Sequence, residues 1–187
     1  MARSSVKPSK APRLGPDAWV DAAFDALSQR GIGGVRVEPL AEALGVTKGS
    51  FYWHFADRDA LLTALFERWA EGRVQAIRAE TIDGGNARAT LDRLIELYAR
   101  GPNARGLAIE LAIRSLARTD ARASDAINRV DGERLARVAA LFTALGCASA
   151  EAQARAFLFY AFVFGQSLIA RRSDVALRTA AAGLFLP

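Results

Sequence analysis

The 187 residues contain one cysteine and one histidine. Cys147 alone can form no disulfide within the chain and no cysteine-based zinc site, which suits a reducing cytoplasm. His54 alone cannot complete a catalytic triad or a metal site whose other members are missing. No G-x-S-x-G, H-E-x-x-H, P-loop or dinucleotide fingerprint is present, and Gly31-Ile32-Gly33-Gly34 is a lone glycine cluster. An enzyme of helical fold therefore has little support, and neither a metal nor a cofactor is expected. Long apolar runs are missing too. The most apolar stretch, Ala156–Gly165, is about half of the ~20 residues that span a bilayer, so it reads as a buried core or interface helix and no membrane partner is expected. The basic, proline-containing start is not followed by an apolar segment, so no signal peptide is expected and a cytoplasmic location is. β-Branched residues are few in most segments while alanine and leucine abound, which favours helix over strand. Charge is not concentrated either. The net charge is +5 and the pI about 10.0, yet Met1 to Arg58 holds 8 basic against 6 acidic residues. Basicity suits a polyanionic partner, but here only local placement can argue for one. An architectural DNA-packaging protein would need more positive charge and no large apolar second half.

What remains is a succession of helical patterns. Residues 1–14, with Arg3, Lys7, Lys10 and Arg13 between prolines and serines, read as a flexible basic tail: a solvated terminus, or an arm that touches DNA. A first helix starts near Pro16, with Val20, Ala23, Phe24 and Leu27 as its apolar stripe, and ends at Gly31. A second runs from about Val37 to Leu44. A third runs from about Lys48 to Phe55 with Thr47 as N-cap, and a fourth from the Asp57 cap to about Glu80. Asp83-Gly84-Gly85-Asn86 is the clearest break. Helices follow around Leu91–Tyr98, Leu107–Leu116, Ala121–Leu145, Ser149–Leu168 and Asp174–Phe185. The fold expected is all-α with about nine helices: a tail at 1–14, a smaller helical domain at 15–60, and a larger helical domain at 61–187.

The segment Arg36–Phe55, RVEPLAEALGVTKGSFYWHF, carries the chemistry. Two short helices crossing through a tight turn need a small residue on the first, supplied by Ala41, and a residue tolerant of positive φ in the turn, supplied by Gly45. Leu40, Leu44, Val46 and Phe51 are apolar where the pair must pack. The second helix has little that could be core. Lys48 brings charge, Thr47, Ser50 and Tyr52 bring hydroxyls, and Trp53 and His54 bring N–H donors, all suited to phosphate oxygens or base edges. Trp53 could instead be core. Gly49 costs the helix about 1 kcal/mol relative to alanine, and is useful where backbone must approach something bulky. Arg36 and Arg58 flank the unit and can clamp the DNA backbone. The motif is a helix-turn-helix.

The run LAEALGVTKGSFYWHFADRDALL is similar to the DNA-binding signature of the TetR family of transcriptional regulators, over about Asp17 to Phe66. Tyr52-Trp53-His54 resembles a recognition helix of that family. The resemblance implies that these residues contact an operator and that Arg58 makes a phosphate contact. Arg36 departs from the threonine or serine of many members. The resemblance further implies a homodimer held by the last two long helices, a palindromic operator, and a small-molecule effector pocket in the C-terminal domain. Candidate lining residues are Leu94, Tyr98, Leu107, Glu110, Arg114, Phe157 and Tyr160. Glu110 and Arg114, at i and i+4, are either a plain helix ion pair or anchors for a polar group on an otherwise hydrophobic or aromatic effector. The helix bearing Phe157 to Phe164 is apolar nearly all round and must bury two faces. Phe159, Phe162, Val163 and Gln166 are the expected dimer contacts, unless the helix is central to a monomer. The function expected is a repressor released from its operator by the effector; a transcriptional activator, or a regulator that needs no ligand, is the alternative.

Overall fold

The computed structural model describes residues 14–82, 84–100, 103–168 and 175–184. The basic tail up to residue 13, the Gly101-Pro102 stop and the limits expected at Asp174 and Phe185 lie outside them. Nine α-helices are present among the described residues: α1 (Pro16–Arg30), α2 (Val37–Ala43), α3 (Lys48–Phe51), α4 (Arg58–Glu80), α5 (Ala87–Ala99), α6 (Ala104–Leu116), α7 (Ala121–Ala144), α8 (Ser149–Leu168) and α9 (Val175–Gly183). A 3-10 turn at Ile32–Gly34 joins α1 to α2.

The helix limits follow from their caps. Pro16 opens α1 at a position where no N–H is needed. The Asp57 carboxylate accepts from the Ala60 N–H at 2.8 Å and starts α4. Asn86, Asn103 and Asp120 cap α5, α6 and α7 in the same way. Thr47 stands at the N-cap of α3, but its hydroxyl makes no capping bond.

Two hydrophobic cores meet along α7. The first gathers α1, α2, α3 and the inner face of α4, together with Ile109 and Ile113 of α6 and Ala123 to Val130 of α7. It does not close at residue 60, because α4 is shared and α6 packs directly on α1. The second joins Leu91, Leu94 and Ile95 of α5 with Val138, Leu141 and Phe142 of α7 and Ala152, Ala156 and Phe159 of α8. The inner face of α1 lies one residue round from the expected stripe. Trp19 is wholly buried beside Val20, Ala23, Ala26 and Leu27, while Phe24 is only partly covered.

Candidate nucleic-acid interface and interior cavity

The turn after α2 is built as the sequence requires. Ala41 is buried where the helices cross, and its carbonyl accepts from the Val46 N–H at 3.0 Å. Gly45 has φ 66°, a conformation that costs other residues far more. Phe51 then anchors α3: its ring is fully buried, meets Trp19 edge-on at 5.2 Å and stacks on Phe55 at 5.5 Å. Each such aromatic pair adds about 0.5–1.5 kcal/mol beyond area burial.

α3 is shorter than expected. It stops at Phe51, and Tyr52, Trp53 and His54 occupy a turn tightened by bonds from the His54 and Phe55 N–H groups to the Phe51 carbonyl. The consequence is an outward fan of side chains. Trp53 is 87% exposed and Tyr52 53%, and His54, Thr47, Lys48 and Gly49 are exposed as well. Trp53 therefore has no part in the core. Ser50 is half-buried. A Cβ on Gly49 would meet nothing nearer than the Thr47 hydroxyl at 3.7 Å, so the fold itself does not require glycine there. A shallow concavity on this face is bordered by Leu14, Thr47, Gly49, Ser50, Trp53 and His54. Leu14, two residues ahead of α1, thus neighbours this surface.

The flanking basic residues differ. Arg36 is exposed ahead of α2. Lys48 is exposed but donates to the Glu38 carboxylate of α2. Arg58, expected from the sequence as a clamp, has partners within the fold. Its Nε donates to the Val35 carbonyl at 2.6 Å and one terminal nitrogen to the Ile32 carbonyl at 3.1 Å. Half-buried, it ties the start of α4 to the chain entering α2, and it shares the Ile32 carbonyl with the Val35 N–H of the 3-10 turn, which lies at 3.2 Å.

A second feature lies in the C-terminal half. A partly open cavity of about 270 Å³ is bordered by α4, α5, α6, α7 and α8. Of the candidates from the sequence, Tyr98, Leu107, Glu110 and Tyr160 line it. Leu94 is buried core instead. Arg114 stands behind the wall, bonded to Glu110 at 2.9 Å and to Asp131 at 2.6 Å. Phe157 is a correction: it is 63% exposed and borders a different groove. Trp69, Arg73, Glu80, Arg134 and Phe164 also line the cavity, although the sequence reading does not single them out. A signal for two of them exists. Arg73 lies between buried Trp69 and Ile77 at four-residue steps, and Arg134 between buried Val130 and Val138. A charge on an apolar stripe points inward.

The cavity wall is electrostatically organised. Glu110 accepts from both terminal nitrogens of Arg134, at 2.6 and 2.9 Å, and from Arg114. Burial pushes the Glu110 carboxyl up, but the bonds and charges of Arg134 and Arg114 outweigh it and hold the group below its ordinary value. Tyr98 donates to Glu80 at 3.2 Å, and burial pushes its hydroxyl up to about 12, so it remains a donor at neutral pH.

The expected dimer contacts have neighbours within their own protomer. Phe159 is 1% exposed and packs edge-on against Tyr98 and Tyr160, Val163 is buried, Phe162 is partly covered, and Gln166 donates to the Tyr98 carbonyl. These residues serve their own protomer. The outward face of α8 carries Phe157 and Leu158 instead, next to a groove edged by Ala136, Ala140 and Thr143 of α7.

Comparison with known proteins agrees with this arrangement. The model of the tetR family of bacterial regulatory proteins matches residues 20–65. The class A tetracycline repressor protein from transposon 1721 of Escherichia coli is 36% identical over 89 residues, covering 44% of this chain and 41% of that protein. The match thus spans less than half of the relative's length. A TetR-family regulator from Rhodococcus sp. has a solved structure that is 26% identical, with a TM-score of 0.66 over 92% of this chain and 98% of that one. A regulator from Saccharomonospora viridis, solved in complex with choline, is 19% identical with a TM-score of 0.75, over 91% and 94% of the two chains.

Proposed function

Because the chain belongs to the TetR family of transcriptional regulators, we propose that it is a repressor that binds a palindromic operator as a homodimer and is released by a small effector in the interior cavity. The observation that carries this reading is the fan of exposed Tyr52, Trp53 and His54 around a small-residue surface at Gly49. Trp53 at 87% exposure makes little use of its ring within the fold, and Tyr52 leaves about half of its surface in solvent, which supports their use toward a partner. Hydroxyls of Thr47, Ser50 and Tyr52, with Lys48 and Arg36, provide phosphate and base-edge contacts.

Dimerisation places two such faces on one side of the molecule. The second copy covers Phe157 and Leu158, seating them against the α7 groove so that α7 and α8 of both protomers form a four-helix bundle. The two α3 helices then meet half-sites about one DNA turn apart, ~34 Å. The α6 helix couples the two functions. Its Gly106, Leu107 and Glu110 line the cavity, while Ile109 and Ile113 belong to the core beneath α1. An effector that repositions α6 and α4 shifts the population between DNA-binding and released states. The repressor role is supported by the repressors among the curated relatives.

The test is a gel shift with the DNA surrounding this protein's own gene. A salt-sensitive, sequence-selective complex is expected. Its absence at low salt, with the protein folded, contradicts the reading.

A further inference from the structure

The cavity also shows which chemistry its ligand must have, if it is the effector site as read above. Four charged residues line it. Two of them, Glu110 and Arg134, are ion-paired and backed by Arg114 and Asp131, so they offer a ligand no net charge, although the Arg134 Nε, too, is shielded without an acceptor. Arg73 is different. It lies on the buried stripe of α4 between Trp69 and Ile77, and no hydrogen bond or ion pair joins it to any described residue. Its Nε is shielded from solvent without an acceptor. Arg73 as a whole is half-buried, so its charge faces the cavity with no carboxylate bonded to it. Its fork of N–H donors matches a planar carboxylate.

The fourth charge, Glu80, lies seven residues further along α4, about 10 Å at 1.5 Å per residue. It already accepts the Tyr98 hydroxyl. The cavity is therefore polar at two positions about two helical turns apart, and Trp69 and Tyr160 add ring surface to its wall. A cationic ligand meets a poorer site. The Phe164 ring already has Arg114 at 4.3 Å and Arg134 at 5.1 Å, Arg134 also lies 5.9 Å from the Tyr160 ring centre, and Arg73 repels a further positive charge. We propose that the cavity binds an aromatic carboxylic acid, with its carboxylate on Arg73 and a hydroxyl or similar donor at the Glu80–Tyr98 end.

A matched series tests this by thermal shift and calorimetry on the full chain: 4-hydroxycinnamate, 4-hydroxycinnamamide and tyramine, with benzoate, cinnamate and naphthoate as further acids. Acids are expected to stabilise the wild type and to bind at least about tenfold more tightly than the amide. Arg73→Met removes that preference, and Arg73→Lys, which keeps the charge and loses the fork, restores part of it. Equal binding of acid and amide, an acid preference that survives Arg73→Met, tightest binding by tyramine, or no binding by any acid overturns the proposal. A parallel DNA-binding assay separates the two ideas. An Arg73-dependent acid that leaves DNA affinity unchanged keeps the ligand class and overturns the effector role. Release of DNA by a neutral or cationic ligand does the reverse.

Discussion

Lys48 of α3 donates to the carboxylate of Glu38 on α2, ten residues earlier, across the turn that holds Gly45. Both side chains are exposed. The hydrogen bond and charge of Lys48 hold the Glu38 carboxyl below its ordinary value, so the pair is intact at neutral pH. Under the proposed function, this pairing neutralises the α3 cation until DNA displaces its partner.

Glu38→Gln removes that competition. Affinity for DNA of any sequence rises, and the plot of log K against log salt steepens by about one unit per half-site. Anisotropy titrations between low and moderate salt measure both. An unchanged slope would show that Lys48 makes no phosphate contact.

Arg58→Lys separates a brace from a clamp. The lysine keeps the charge but cannot serve the Val35 and Ile32 carbonyls together. Stability is expected to fall by about 1–3 kcal/mol, seen in chemical denaturation. Loss of DNA affinity should follow the fraction unfolded. A fully stable variant with weakened DNA binding would return Arg58 to the phosphate backbone.

Glu110→Gln strands the 3% exposed Arg134 without its main counter-charge and should cost about 3–5 kcal/mol. Replacing both, as Glu110→Met with Arg134→Leu, should recover much of that loss. The pair also sets an acid limit. Glu110 is depressed below its ordinary 4.5 in the fold. Its contribution is complete above that value and is lost as pH falls through the lower folded one. Melting curves from pH 7 to 3 should show this loss in the wild type and a smaller one in the double variant.

Phe157→Glu places a charge on the outward face of α8 without touching either core. Sedimentation should show a folded monomer with reduced DNA affinity. A dimer that persists unchanged would move the interface elsewhere.

The sequence makes the helix-turn-helix legible because each part has a local cause: the Asp57 cap, the positive φ at Gly45, the apolar spacing that buries Leu40 and Phe51. Helix limits came within a few residues for the same reason. The end of α3 did not, since Tyr52 to His54 have no period that separates a last helical turn from a tighter one. In α8 the aromatic run is apolar on every side, so spacing cannot tell Phe157 from Phe159; only packing against α5 and α7 decides which turns outward. Arg58 reads from the sequence as a clamp on the DNA backbone, and Arg134 draws no reading, because the Val35, Ile32 and Glu110 groups they meet lie more than twenty residues away.

The central claim is that the Tyr52–His54 fan reads a two-fold symmetric DNA site. Selection of bound sequences from a random duplex library tests it directly. The wild type should enrich an inverted repeat with half-sites about 34 Å apart, and Tyr52→Ala, with an unchanged melting temperature, should lose that enrichment. No enriched sequence, or the same sequence enriched by Tyr52→Ala, would contradict the account.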